Sequence, residues 1–307
     1  MHDLIIIGGG PAGVAGGVYA ARKKLKTLLV TESFGGQSIV SGHIQNWIGT
    51  ASISGLDLAK NLENHLRAQD DIDIMEGERV KSVLKNRGGG FFVETDSGKR
   101  YESRTVLLAS GSRRKKLGVL GEKEFDGKGV AYCSICDAPL FKGTDVAVIG
   151  GGNAGLEATI DLLPYAKHIF LLHHGPRLKG DMITQEKVLS NKNVQVLFNA
   201  ETKEIHGKTT VTGLTYTDTR SGETKTLSVQ GVFVEIGIMP NSEIVLGLLK
   251  TNAWGMVLTN PGNQRTSCPG IWAAGDVTDA PYRQNNISAG DAIKAVLDIH
   301  DSLHLRG

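Results

Sequence analysis

The chain has 307 residues, of which 40% are hydrophobic and 21% charged, and a net charge of +2. That balance fits a globular enzyme of about two domains and excludes a disordered or fibrous chain. A near-neutral charge gives no electrostatic basis for nucleic acid as a main partner, no apolar run approaches the ~18 residues of a membrane span, and Met1-His2-Asp3 lacks the marks of a signal peptide, so a cytoplasmic enzyme is expected.

Leu4-Ile5-Ile6-Ile7 is a continuous apolar run that enters Gly8-Gly9-Gly10-Pro11-Ala12-Gly13. A helical, alanine-rich stretch follows over 12–22. Strand, G-x-G-x-x-G and helix together predict a dinucleotide site. Gly8 permits the tight turn, Gly10 lets a pyrophosphate approach the backbone, and Gly13 lets helix and strand pack closely. Free N–H groups at the helix start then face the phosphates. Glu32, after the next parallel strand at 27–30, stands where an acid accepts from a ribose hydroxyl. Leu56, Leu58, Leu62 and Leu66 mark a helix over 54–69. Strands are expected at 72–83, 90–95 and 101–109, parted by Gly88-Gly89-Gly90 and Asp96-Ser97-Gly98. The polar stretch 112–128 reads as a domain connection, and its run Arg113-Arg114-Lys115-Lys116 as a solvated linker.

Cys133-Ser134-Ile135-Cys136 comes next. A structural zinc site needs four ligands, usually from two such pairs, and there is no second pair; thiol–disulfide exchange is the better reading. In exchange, one thiolate attacks a partner and the other resolves the mixed disulfide. A helix starting at Ser134 lowers a thiol pKa there. Asp137 is either a proton donor and acceptor or an ordinary first-turn aspartate. No metal site is expected, and Cys268 reads as a small buried apolar residue.

Val146-Ala147-Val148-Ile149 then runs into Gly150-Gly151-Gly152-Asn153-Ala154-Gly155, repeating the first motif and predicting a second nucleotide-binding unit. A helix at 154–163 and a strand at 168–172 follow. The strand leads into His173-His174-Gly175-Pro176-Arg177-Leu178-Lys179, with neither a carboxylate for a 2′-hydroxyl nor an arginine pair for a 2′-phosphate. Adjacent histidines on a strand point to opposite faces, which disfavours a metal pair. More strands are expected at 194–197, 209–216 and 231–234. Gly275-Asp276 and a closing helix over 287–300 lack a unit of their own. They are expected to return to the first domain, giving 1–113 with 244–307 and an inserted 114–243. His300 and His304 read as a solvated helix face.

These motifs, with Gly35-Gly36-Gln37, Asn46-Trp47, Tyr132, Ala274-Gly275-Asp276 and Tyr282-Arg283-Gln284, occur in the order found in bacterial and archaeal low-molecular-weight thioredoxin reductases. The resemblance covers essentially the whole chain. The stretches 136–143 and 178–181 also resemble the flavoprotein that reduces alkyl hydroperoxide reductase; its extra N-terminal disulfide domain has no counterpart in these residues. The resemblance implies an α/β fold of two Rossmann-like, three-layer ββα domains, the second inserted in the first, and a homodimer with FAD in each protomer. It carries flavin positions onto Gly8, Gly10, Pro11, Ala12, Gly13, Gly36, Gln37, Asn46, Val80, Ala109, Ser110, Gly111, Gly275, Asp276, Arg283, Gln284 and Asn285. It carries nicotinamide-nucleotide positions onto Gly150, Gly152, Asn153, Ala154 and Gly155. Cys136 matches the thiol facing the flavin, Cys133 the one attacking the protein substrate, and Asp137 the acid beside them. It further implies a thioredoxin-like substrate, with a peroxiredoxin-type or glutaredoxin-like partner as the alternative. Members using NADPH carry arginines where this chain has His174, Gly175 and Lys179, so the donor stays open between NADPH, NADH and ferredoxin. A flavin-binding redox sensor without turnover is a third reading.

Overall fold

The computed structural model describes residues 1–40, 44 and 46–304, apart from the side chains of Val40 and Cys136. The chain forms two compact units, Met1–Arg113 with Met239–Gly307, and Arg114–Ile238.

The first unit starts with β1 (His2–Gly9), α1 (Pro11–Arg22) and β2 (Thr27–Phe34). It goes on through α2 (Gly55–Arg67), β3 (Ile72–Glu76), β4 (Val80–Lys85), β5 (Phe91–Thr95), β6 (Arg100–Leu108) and β7 (Ser112–Arg114). Pro11 opens α1 at a position that needs no N–H donor. Ser54 caps α2 by accepting from the Asp57 N–H. This frame turns Leu58 and Leu66 into the core and leaves Leu56 69% exposed, so Leu56 is not part of the apolar stripe its spacing predicts.

The second unit follows with β8 (Val130–Ala131), α3 (Ser134–Asp137), β9 (Asp145–Ile149), α4 (Asn153–Leu162), β10 (His168–His173), α5 (Met182–Leu189) and β11 (Val194–Phe198). Then come β12 (Ala200–Gly207), β13 (Val211–Asp218), β14 (Thr224–Leu227) and β15 (Gly231–Val234), and β16 (Ile238–Pro240) begins at the unit's last residue. The parallel sheet runs β11-β10-β9-β15-β8, and β12-β13-β14 form a separate antiparallel sheet. One apolar cluster joins Ile149, Leu172 and Val232 to Leu214 and Val229, and another lies under α4 around Leu156, Leu162 and Phe233. This is the expected ββα layering. In this part of the chain β8, α5, β12, β14 and β16 have no counterpart among the elements expected from the pattern. β12 alternates buried Ala200 and Thr202 with charged neighbours, and β14 has one apolar residue, so neither shows an apolar run.

The chain re-enters the first unit between Ile238 and Met239, ahead of the crossing expected at 243/244. Asn241 explains the difference: its Nδ2 donates to the Ser110 carbonyl at 2.8 Å, and Ser110 Oγ donates to the Asn241 carbonyl at 2.8 Å. β17 (Ile271–Ala273) and α6 (Asn285–His304) complete the unit. Its sheet runs β3-β2-β1-β6-β5-β4, with β17 also on β6. The long β6 changes partners along one edge: Arg100–Ser103 pair antiparallel with β5, and Val106–Leu108 pair parallel with β17. One strand thus serves both the parallel layer and the antiparallel one. Helices α1 and α6 cover one face around Leu29, Leu107 and Val296, while Val83, Val93 and Ile271 fill the other. No helix among the described residues is long and apolar enough to cross a membrane.

Candidate functional site

At the carboxyl ends of β1, β2 and β6 the first unit opens a cleft of about 420 Å³. This is where open parallel sheets receive ligands. The first glycine motif forms its floor. A Cβ at Gly13 would overlap the Gly8 carbonyl oxygen, and one at Gly8 (φ +115°) the Ala109 carbonyl, so both glycines are required by packing. Gly10 is different: the nearest atom to a Cβ there is the Gly36 Cα at 3.8 Å. Gly10 caps α1 with no side-chain hydrogen bond, leaving the first-turn N–H groups for a phosphate.

Glu32, Gly36, Gln37, Val80, Ala109, Ser110, Gly111, Gly275, Asp276, Arg283, Gln284 and Asn285 line this cleft together with Gly8, Gly10, Pro11 and Ala12. Gly13 lies beneath the turn and does not face the cleft. Asn46 does not line it either; its exposed Nδ2 donates to Gln284 Oε1 at 2.8 Å. Ser38 Oγ donates to Asn285 Oδ1 at 2.9 Å. Burial lifts the Asp276 carboxyl above its ordinary range, opposed by the charge of Arg283 and a long hydrogen bond from Ser112 Oγ. The cleft also exposes Glu78, Arg79, Arg113 and Asn241, none of which the sequence motifs mark. The Pro240-Asn241 pair ahead of a short helical turn was the available signal, although the residues that Asn241 meets lie far away in sequence.

In the second unit the same construction recurs. A Cβ at Gly155 would overlap the Gly150 carbonyl oxygen, and one at Gly150 (φ +134°) the Glu235 carbonyl, whereas Gly152 has nothing within 4 Å. Gly152 caps α4 with no side-chain bond. Asn153 Oδ1 instead accepts from the Asp181 N–H at 2.7 Å, tying the start of α4 to the next loop. His173 is 3% exposed at the end of β10, and neither ring nitrogen has a well-formed hydrogen bond. Burial first, then the neighbouring His174, hold its pKa down, with the Arg177 backbone opposing. The two rings sit edge to face at 4.7 Å, closer than opposite strand faces allow, because His174 lies beyond the strand end. Among the described residues no cluster can hold a metal. His300 and His304 stack at 4.6 Å on α6.

Cys133 is disulfide-bonded and caps α3; the Cys136 side chain lies outside the described residues, though its backbone is within α3. Cys268 is free and buried. Burial raises the Asp137 carboxyl pKa, with Arg114 opposing. Arg114 also bonds Glu235 at 3.2 Å. Glu235 is 7% exposed, and burial, with Asp161 and Glu157 adding to it, lifts its pKa from 4.5 to about 7 against the pull of Arg114. A raised acid pKa means that the folded state holds the proton more tightly. Stability from this group is therefore full below pH 4.5 and is lost as pH rises through about 7. The whole shift corresponds to about 3 kcal/mol. Glu235→Gln is expected to remove that loss, so that the difference in thermal midpoint between variant and native grows in the variant's favour from about pH 5 to about pH 8. Parallel curves would show that Glu235 is ionised throughout.

The chain belongs to the pyridine nucleotide-disulphide oxidoreductase family, whose profile matches residues 2–294, and is thus an oxidoreductase. It is 44% identical over 98% of its length to a Bacillus subtilis NADH dehydrogenase. It is 42% identical, again over 98%, to the F component of the alkyl hydroperoxide reductase of Pseudomonas aeruginosa. It spans 58% of the length of each of these relatives. Among solved structures, T. acidophilum thioredoxin reductase superposes with a TM-score of 0.78 at 35% identity, covering 98% of both chains. Lactococcus lactis thioredoxin reductase gives 0.79 at 27% identity, again over 98% of both chains.

Proposed function

We propose that this pyridine nucleotide-disulphide oxidoreductase holds FAD in the first-unit cleft, accepts electrons from NADH at the second glycine loop, and reduces a disulfide of a thioredoxin-like protein through Cys133 and Cys136. The observation that carries this reading is the repeated cradle. Two G-x-G-x-x-G turns share one packing geometry, each leaving its middle glycine open, and a Cys-x-x-Cys helix stands in the second unit.

The residues of the cleft fit a flavin dinucleotide: an uncapped helix start for the pyrophosphate, Glu32 for the adenosine ribose, and the half-buried Asp276 beside Ser112 for the far end. When bound there, FAD supplies the two-electron relay between a nicotinamide and a disulfide. The chain's own part is thiol chemistry. The Cys133 thiolate attacks the partner disulfide, Cys136 displaces the partner thiol, and the pair is left oxidised; two electrons and two protons pass to the partner. Asp137, with its raised pKa, is suited to hold one of those protons at the oxygen nearest the leaving thiolate. The thioredoxin reductase resemblance supports a homodimer. The identity to an alkyl hydroperoxide reductase component favours a second reading, in which the partner belongs to a peroxide-reducing pair. Turnover measured with a thioredoxin and with a peroxiredoxin-type protein separates the two.

NADH is favoured over NADPH because Gly175 stands where an arginine would clamp a 2′-phosphate. A Cβ at Gly175 would come within 2.9 Å of His173 Nε2, so the buried ring resists a larger side chain. The expected kcat/KM for NADH exceeds that for NADPH by at least about tenfold. His174→Arg with Gly175→Arg should narrow the gap only in part, since His173 must first move. Native preference for NADPH, or reduction by a ferredoxin system alone, would sink the donor assignment.

A further inference from the structure

Both neighbours of Cys133 are tied to carboxylates from other parts of the second unit. On one side, the Tyr132 hydroxyl donates to Glu122 at 2.9 Å, and Lys116 Nζ lies 3.5 Å from the centre of the Tyr132 ring. Glu122 is itself 4% exposed and also accepts from the Leu117 and Gly118 N–H groups. On the other side, Ser134 Oγ donates to Asp161 Oδ2 at 2.7 Å. Ser134 is 8% exposed, and Asp161 stands on α4, the helix that begins at the second glycine loop. The short α3 is thus fastened to the nucleotide-loop helix by one serine, and a carboxylate is fixed one residue from the cysteine.

We infer that Asp161 is a positioning residue for the Cys133–Cys136 couple, acting through Ser134, and that its charge makes the couple a stronger reductant. This role rests on the redox function proposed for Cys133. Reduction breaks the S–S bond, takes up two electrons from the reduced flavin or an added thiol, and takes up two protons to give two thiols. A negative charge held beside those thiols opposes thiolate formation. Near neutral pH, where the reduced couple gains stability by ionising one of its thiols, that charge removes part of the gain and pulls the equilibrium toward the disulfide, which is the condition for giving electrons away. Glu157 and Glu235 face Asp161 from α4 and the end of β15, and Arg114 faces Glu235. The local balance of these four groups is net negative, so Arg114 does not neutralise Asp161.

The full-length protein, equilibrated with glutathione buffers at neutral pH and assayed by alkylating free thiols, tests this. Asp161→Asn keeps an oxygen for the Ser134 hydroxyl but removes the charge. It should shift the equilibrium toward the dithiol by about three- to tenfold, tenfold being ~30 mV for this two-electron couple, and thiolate absorbance should develop at lower pH. Ser134→Ala releases the contact and should alter both readouts, whereas Ser134→Thr, which keeps the hydroxyl, should restore native values. An Asp161→Asn equilibrium equal to native, or displaced toward the disulfide, overturns the inference while native exchange leaves the redox reading intact. A native protein in which Cys133 never exchanges with the buffer overturns both.

Discussion

Cys133→Ser is expected to lower protein-disulfide turnover by at least about 10³-fold while leaving flavin binding and flavin reduction by NADH unchanged. A serine hydroxyl cannot form a disulfide, so no mixed disulfide with the partner can be made or resolved. The variant should nonetheless fold. Cys133 is half-buried at the mouth of α3, and its backbone is held by its neighbours, through Tyr132 on Glu122 and Ser134 on Asp161. Absorbance of bound flavin and a thermal melt check the fold, and a coupled assay with a thioredoxin-like protein checks the activity. Turnover within tenfold of native would remove Cys133 from the reaction.

The second large effect separates two glycines three residues apart. Gly155→Ala sets a methyl group onto the Gly150 carbonyl oxygen, so loop and helix must part. Overpacking at such a backbone contact costs about 3 kcal/mol or more, and a drop in thermal midpoint should accompany loss of NADH oxidation. Gly152→Ala meets nothing within 4 Å and should leave the melt unchanged. Its methyl group nevertheless stands over the uncapped start of α4, where a pyrophosphate has to approach, and the KM for NADH should rise more than about tenfold. If Gly152→Ala melted early, or left KM alone, the second cradle would not be a nucleotide site.

Much of this arrangement is legible in the sequence because the decisive contacts are local. Gly8 and Gly13, like Gly150 and Gly155, meet within one turn, so their spacing alone encodes the cradle. Cys133 and Asp137 lie within one helical turn of each other. What escapes is long-range or masked by polarity. Asn241 closes the cleft against Ser110, 131 positions away, and no local pattern announces that pairing. β12 and β14 are half-polar strands of a small sheet whose apolar residues never form a run. The strand pattern ends at 172 and says nothing of His173, yet the Gly151 and Gly175 backbones close over its ring. The Ser134–Asp161 contact is equally invisible, since a serine inside Cys-x-x-Cys and an aspartate late in a helix are both ordinary where they stand.

The joining of nicotinamide to disulfide through one chain is tested most directly by an anaerobic titration of the purified protein with NADH, following flavin absorbance near ~450 nm and counting free thiols at each addition. The native protein should take up two electron pairs per chain, one bleaching the flavin and one opening the disulfide at Cys133, while Cys133→Ser takes up a single pair. A native protein whose flavin bleaches without any thiols being released would contradict this mechanism, for the nicotinamide and the disulfide would then not be joined through this chain.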